Sequence, residues 1–282
     1  MPSPCECDHH GSERWHAIGL KYVEDMKHRI PRAEVSAIER ICQQAGAFVG
    51  SSLLPLLFIV ATHLHRPGFA VQSLWPNEDL GCCACGSYRR GAPNSGDVDI
   101  ILAAPNGLEP PAVLQLVLAE VRKTGLLTDD LNISETWAKH DRDKRRTSHS
   151  RDTVSRPTWY PLQHGTYATG TYFGMCKLPI SAYHRRIDIK VYTKESYATG
   201  LVYFTGSAHF NRSMRLWAKR HNIKLEDYGM REVIRDAKGH TIHKGKKLEC
   251  RTERDVFRHL GLNWMEPTQR NGGATVAALT TT

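Results

Sequence analysis

The sequence predicts an α+β protein, and three stretches carry that prediction. A strand, turn, strand run ("GCCACGS", then "DVDIILAAP") leads into the amphipathic helix "PPAVLQLVLAEVRKTG" at 110–125. A hairpin-like pair of strands comes later, "YFGMCKLP" at 172–179 and "HRRIDIKVYT" at 184–193. A helix over 209–221 and a C-terminal region ending near Pro267 complete the fold.

The remaining segments fall around these elements. Residues 1–15 are polar and unpatterned and read as a tail. Residues 16–49 give two helical runs separated by Ile30-Pro31, with apolar positions at 35, 38 and 41–42 in helical spacing. Residues 50–80 match neither neighbour and read as an insertion. The main α/β unit spans 81–202 and contains a charged loop without periodicity at 139–165, either solvated or touching a polyanion. A smaller unit spans 203–267, and 268–282, ending "NGGATVAALTTT", reads as a disordered tail.

Composition narrows the partners. The 282 residues are 40% hydrophobic and 24% charged, which suits a folded globular chain. A net charge of +9 favours a polyanion, with nucleic acid ahead of an acidic membrane surface. The most apolar stretch, "LLPLLFIVA" at 53–61, is about half the length of a membrane span and carries Pro55, so no membrane partner is expected. The eight cysteines come without a signal peptide, which fits a reducing compartment better than a disulfide framework. Neither Cys5, Cys7, His9 and His10 nor Cys82, Cys83 and Cys85 has the two-pair spacing of a zinc site.

The chemistry concentrates in "CGSYRRGAPNSGDVDI", residues 85–100. Asp97 and Asp99 are two apart, so on a strand both carboxylates project from one face. Asp188 in "RIDIK" supplies a third carboxylate from a later strand. Three crowded carboxylates raise one another's pKa unless cations neutralise them, and magnesium is the obvious cation because it shares its shell between carboxylates and substrate phosphates. Two such ions can activate an attacking oxygen and stabilise a leaving one. Gly86 and Ser87 offer a turn of the kind that cradles phosphate, and Arg90 is close enough to add a guanidinium fork. A nucleoside triphosphate fits all of these features. Paired aspartates alone are weak evidence, and the upstream turn and the third aspartate are what make the pattern specific. Further on, "YFTG" ends in Gly206, which permits a sharp turn. In the helix that follows, Asn211 and Arg215 share one face and could line a groove.

Taken in order, "CGSYRRGAPNSGDVDIIL", "HRRIDIKVY" and "YFTGSAHFNRSMRLWAK" resemble the palm and thumb of the family X DNA polymerases, in their polymerase-beta branch. "IGLKYVEDMKHRIPRAEV" and "RDVFRHLGLNWMEP" extend the resemblance, which covers most of 16–49, 81–138 and 172–267. It implies a nucleotidyltransferase-like palm at 81–202 and a helical and small-sheet thumb at 203–267. It also implies template-directed synthesis from dNTPs on primer-template or gapped DNA during base excision repair, by a monomer in the nucleus or, alternatively, the mitochondrion.

Residue by residue, the resemblance makes Asp97 and Asp99 ligands of two magnesium ions, with manganese able to substitute, and adds Asp188 at the catalytic ion. Arg186 lies beside Asp188 at the primer end. Arg29, Gly86, Ser87, Arg90 and Gly96 match triphosphate positions. Tyr203, Phe204, Gly206 and Asn211 match positions around the sugar and base, and Arg215 and Lys190 are assigned to DNA.

Departures matter as well. No residue matches the family's lyase lysine, so lyase chemistry is not expected. Ala208 and Lys190 replace an acidic residue and an arginine. Two other readings stay open, a template-independent nucleotidyltransferase and a truncated, non-catalytic DNA-binding paralogue, and the intact aspartate triad argues against the second.

Overall fold

The computed structural model describes residues 17–63, 81–105, 108–137 and 167–271. After a short helix α1 (Val23–Met26), a two-residue strand β1 (Ile30–Pro31) pairs with β3 (Asn94–Ser95). The long helix α2 (Arg32–His63) follows directly. The central sheet has five strands in the order β2 (Cys83–Ala84), β4 (Val98–Ala104), β7 (Arg185–Thr193), β6 (Tyr167–Cys176), β5 (Leu127–Trp137). Only β4 and β7 run parallel, and every other neighbouring pair is antiparallel.

Alternation along β4 and β7 decides which face carries chemistry. Val98, Ile100, Leu102 and Ala104 on β4 and Ile187, Ile189 and Val191 on β7 point into one core. That core is closed by two helices. The first is α2, through Val35, Ile38, Cys42, Ala45 and Val49 at helical spacing. The second is α4 (Pro110–Lys123), through Val113, Leu114, Val117, Leu118 and Val121. Pro110 and Pro111 suit the first turn of α4, where the missing N–H groups would be orphans anyway, and Arg122 and Lys123 face the negative end of its dipole. With the even positions of β4 committed to the helices, Asp99 and Ile101 fall on the opposite face, and so do Asp188, Lys190 and Tyr192 on β7. Arg185, 5% exposed, fixes the start of β7 by a bidentate pair with Glu34 (2.9 and 2.8 Å) and a bond to the His28 carbonyl (2.8 Å).

A second core forms around α5 (Lys194–Thr205), α6 (Ala208–Arg220) and α7 (Glu253–His259). They pack with a three-stranded antiparallel sheet in the order β10 (Thr241–Leu248), β9 (Gly229–Arg235), β8 (Ile223–Glu226). Val202, Phe210, Met214, Ala218, Val256 and Phe257 fill this core. Ser207 caps α6 by accepting from the Phe210 N–H, and Thr252 and Asp255 form a capping box on α7. The α+β expectation, a palm followed by a helical and small-sheet thumb, holds, and the palm sheet is mixed.

The structure departs from the expected divisions in two places. Helix α2 crosses position 49 without a break and reaches His63, so the first part of the stretch read as an insertion continues a palm helix. At the other end, residues 268–271, placed at the head of a disordered tail, belong to the fold. Arg270 is fully buried because its guanidinium fills a cage of Phe210, Phe257 and Trp264 rings. The tail at 1–15, the loop at 139–165 and residues 272–282 lie outside the described residues.

Candidate active site

In the parallel ladder of β4 and β7, Asp99 is registered opposite Asp188, and Asp97 precedes β4 on the same face as Asp99. One carboxylate oxygen from each of the three lies within 4.8 Å of the other two. Arg186, two before Asp188 on β7, donates from Nη2 to Asp97 Oδ2 and to Asp188 Oδ2, the latter at 3.2 Å. Burial, then the charges of Asp97 and Asp188, hold the Asp99 carboxyl well above the usual carboxylate range. Burial also pushes Asp188 up to about 6, against the pull of Arg186 and with the repulsion of Asp97. Asp188 Oδ1 is buried and bonds to none of the described groups. A buried oxygen without a donor, in a cluster of acceptors only, suits a hard cation that takes oxygen ligands. The donor set therefore fits magnesium or manganese.

The turn expected to cradle phosphate is the one-turn helix α3 (Gly86–Arg89). Gly86 has φ +53°, and a Cβ there would lie 1.9 Å from Asp99 Oδ2, so only glycine lets the turn approach the triad. The Cys85 N–H donates to the Asp99 carbonyl at 2.8 Å and locks the turn to β4. Ser87 Oγ donates to Ser95 Oγ at 3.0 Å. The pairing of Ile30 with Ser95 brings Arg29 to the same rim, where it donates to Asn94 Oδ1 (2.9 Å) and the Asn94 carbonyl (3.2 Å). A Cβ at Gly96 would sit 2.9 Å from Arg29 Nη1. Arg90 donates from Nη1 to the Thr205 carbonyl at 2.6 Å and from Nε to Asn271 Oδ1 at 3.1 Å. Burial lowers its pKa, while the charges of Asp99 and Asp97 oppose that shift. Gly206 (φ +72°) passes close by, and a Cβ there would meet Arg90 Nη1 at 3.1 Å.

The other expected residues gather around Tyr203. Asn211 Nδ2 donates to the Tyr203 carbonyl at 2.6 Å, and the Arg215 guanidinium lies 4.9 Å from the Tyr203 ring centroid. Lys190, which the resemblance assigns to DNA, lies beside the same ring. Its ammonium lies 5.3 and 5.5 Å from the Tyr203 and Phe204 rings and 3.5 Å from Asp227, and its side chain is only 14% exposed. In this structure its ammonium is held between Asp227 and the two rings. Tyr192 donates to the same Asp227 carboxylate at 3.0 Å.

Sequence reasoning missed a second set. Arg89 donates to both carboxylate oxygens of Glu253 on α7 (3.0 and 2.6 Å) and to Thr205 Oγ1 (2.6 Å), while Arg270 donates to Glu253 Oε1 as well (2.8 Å). Burial alone would raise the Glu253 pKa, but Arg89 and Arg270 hold it below the ordinary value. The adjacency of Arg89 and Arg90 was the available signal. Consecutive residues on a helix point about 100° apart, so one arginine can face the triad while its neighbour faces the thumb.

The palm model of DNA polymerase beta matches residues 69–194, reaching back into the stretch read as an insertion, and the thumb model matches residues 200–271. DNA polymerase lambda of Rattus norvegicus is 33% identical over 257 residues, covering 90% of this chain and 35% of that protein. DNA polymerase lambda of Arabidopsis thaliana is 31% identical, covering 90% and 39%. A DNA nucleotidylexotransferase of Ambystoma mexicanum is 22% identical, covering 92% and 49%. The chain thus spans between a third and a half of the length of these relatives. With palm and thumb matched in order, over the residues that build the triad, the phosphate turn and the Tyr203 cluster, the chain belongs to the family X DNA polymerases.

Proposed function

We propose that the chain is a DNA-directed DNA polymerase that adds dNTPs to the primer 3′ end of gapped DNA, working as a monomer in nuclear base excision repair. The observation that carries the reading is the orphaned Asp188 Oδ1 in a triad that meets the phosphate turn across Gly86. Asp97, Asp99 and Asp188 would hold the divalent ions. When bound, those ions supply charge neutralisation and polarisation at the transferring phosphoryl group.

The chain's own groups position the reactants. Ser87, Arg90 and the N–H groups of the turn hold the triphosphate, and Arg29 stands at its edge. Arg186 ties Asp97 to Asp188 and keeps the carboxylates in one arrangement. Tyr203 and Phe204 form a wall for the sugar and base, and Asn211 and Arg215 lie on the thumb face beside it. Most of the rate then comes from positioning and prearranged charge.

A second reading, template-independent addition, is favoured by the likeness to a DNA nucleotidylexotransferase. Extension with magnesium of a gapped primer-template and of a bare single-stranded primer separates the two. The expected result is addition on gapped DNA that depends on the template base, and loss of extension in Asp188→Ala. Equal addition to the bare primer would favour the second reading, and wild-type extension by Asp188→Ala would overturn both.

A further inference from the structure

Arg90 meets the thumb through a residue that lies beyond the last helix. The fully buried Arg270 donates to Glu253 at 2.8 Å and to the Met265 carbonyl at 3.0 and 2.9 Å, which fixes the backbone of the C-terminal segment against the thumb core. The next residue, Asn271, is exposed and grips Arg90 at both ends. Its Oδ1 accepts from Arg90 Nε at 3.1 Å, and its Nδ2 donates to the Arg90 carbonyl at 3.4 Å and to the Thr268 carbonyl at 2.9 Å. The Thr205 carbonyl takes Nη1 at 2.6 Å.

Two of the three nitrogens of the guanidinium are thereby committed to fixed acceptors. The third, Nη2, has no bond among the described residues, and the charges that face the group are those of Asp99 and Asp97. A planar fork pinned on two nitrogens has one direction left for the third.

We propose that Asn271 is a positioning residue for Arg90. It holds Nε so that Nη2 is presented, already oriented, to a phosphate of the incoming nucleotide. The proposal rests on the reading of Arg90 as a triphosphate ligand. A flexible arginine has to be ordered when nucleotide binds, and Asn271 does the ordering in advance. The effect belongs to nucleotide binding and not to the chemical step.

Single-nucleotide insertion on gapped DNA by the full chain tests this, with KM and kcat determined separately. Asn271→Ala should raise the nucleotide KM about three- to tenfold, the range for losing one ordinary hydrogen bond, because the lost bond orients Arg90 and does not itself touch the nucleotide, and leave kcat within about twofold. In an Arg90→Lys background, the amine cannot keep the fork, so Asn271→Ala should add nothing further. The melting temperature of Asn271→Ala should match wild type, because the side chain is exposed and Arg270 remains anchored.

If Arg90→Ala raises KM while Asn271→Ala leaves it unchanged, the positioning role falls and the reading of Arg90 stands. If Arg90→Ala leaves KM unchanged, both fall. An equal KM increase from Asn271→Ala in the wild-type and Arg90→Lys backgrounds would show that Asn271 acts independently of Arg90 and would overturn the proposal.

Discussion

Asp99 and Asp188 stand directly opposite each other in the parallel ladder of β4 and β7, and burial holds both carboxyls above their ordinary pKa. The pair makes the cation-free site prefer a proton. A carboxyl whose pKa is raised on folding contributes stability that is fully present below its unfolded value and is lost as pH rises through its folded value. For Asp188 that window runs from 3.8 to about 6, worth about 3 kcal/mol across its full span. In EDTA, the wild type should therefore gain stability relative to Asp188→Asn as pH falls from 7.5 to 5. Magnesium should raise the wild-type melting temperature more at pH 7.5 than at pH 5, because protons compete for the same oxygens. Thermal melts of both proteins at the two pH values, with EDTA or magnesium, check this. No magnesium response at either pH would mean that the triad holds no cation.

Gly86→Ala should abolish extension while leaving the fold intact. The new methyl would overlap Asp99 Oδ2 in a backbone region with φ +53°, and relief requires either the turn or the carboxylate to move. We expect a loss of at least ~100-fold in kcat/KM, equivalent to displacing a positioned catalytic group by about 1 Å. Circular dichroism and primer extension on one preparation provide the measurement. Extension within threefold of wild type would show that the turn and Asp99 are not closely coupled in function.

The triad could be read from the sequence because two physical rules converge on it. Strand alternation put Asp97, Asp99 and Asp188 on the face left free by Val98, Ile100, Ile187 and Ile189. The turn at Gly86 and Ser87 was also visible, because both stand a short way upstream of the paired aspartates. What stayed hidden depends on contacts between distant residues. Arg89 and Glu253 are 164 positions apart, and the adjacency of Arg89 and Arg90 says only that one guanidinium turns away from the triad, not where its partner lies. Lys190 was assigned to DNA through the family resemblance alone, which carries no sign of Asp227, its partner in this structure from just beyond β8. The polar run after Pro267 looked disordered because its order comes from one buried guanidinium, and composition does not report such an anchor.

Glu253→Gln should destabilise the protein by roughly 3–5 kcal/mol, because it leaves Arg89 and Arg270 without their shared counter-charge. Both arginines are poorly accessible to water, so the loss is not compensated as it would be on an exposed surface. Urea denaturation should show a lower midpoint, and the nucleotide KM should also rise, since Arg89 is part of the turn that carries Ser87 and Arg90. A drop below about 1 kcal/mol would place the pair in the class of surface bridges and would separate the turn from the thumb.

Arg215→Ala should impair insertion more than DNA binding. In this structure the Arg215 guanidinium rests 4.9 Å from the Tyr203 ring centroid, one turn along α6 from Asn211, which holds the Tyr203 carbonyl. On the proposed polymerase reading, a template contact made by Arg215 would replace its contact with Tyr203 and would form only once the thumb helix moved over a pair of the correct shape. Binding energy realised only in the closed state lowers the barrier without tightening the open complex. The expected result is a fall of about tenfold in kcat/KM for correct insertion, the cost of one lost charged hydrogen bond, with the DNA Kd within about twofold. Fluorescence titration of gapped DNA and single-turnover insertion measure the two quantities. Equal losses in both would make Arg215 an ordinary phosphate contact, and no loss in either would remove α6 from template recognition.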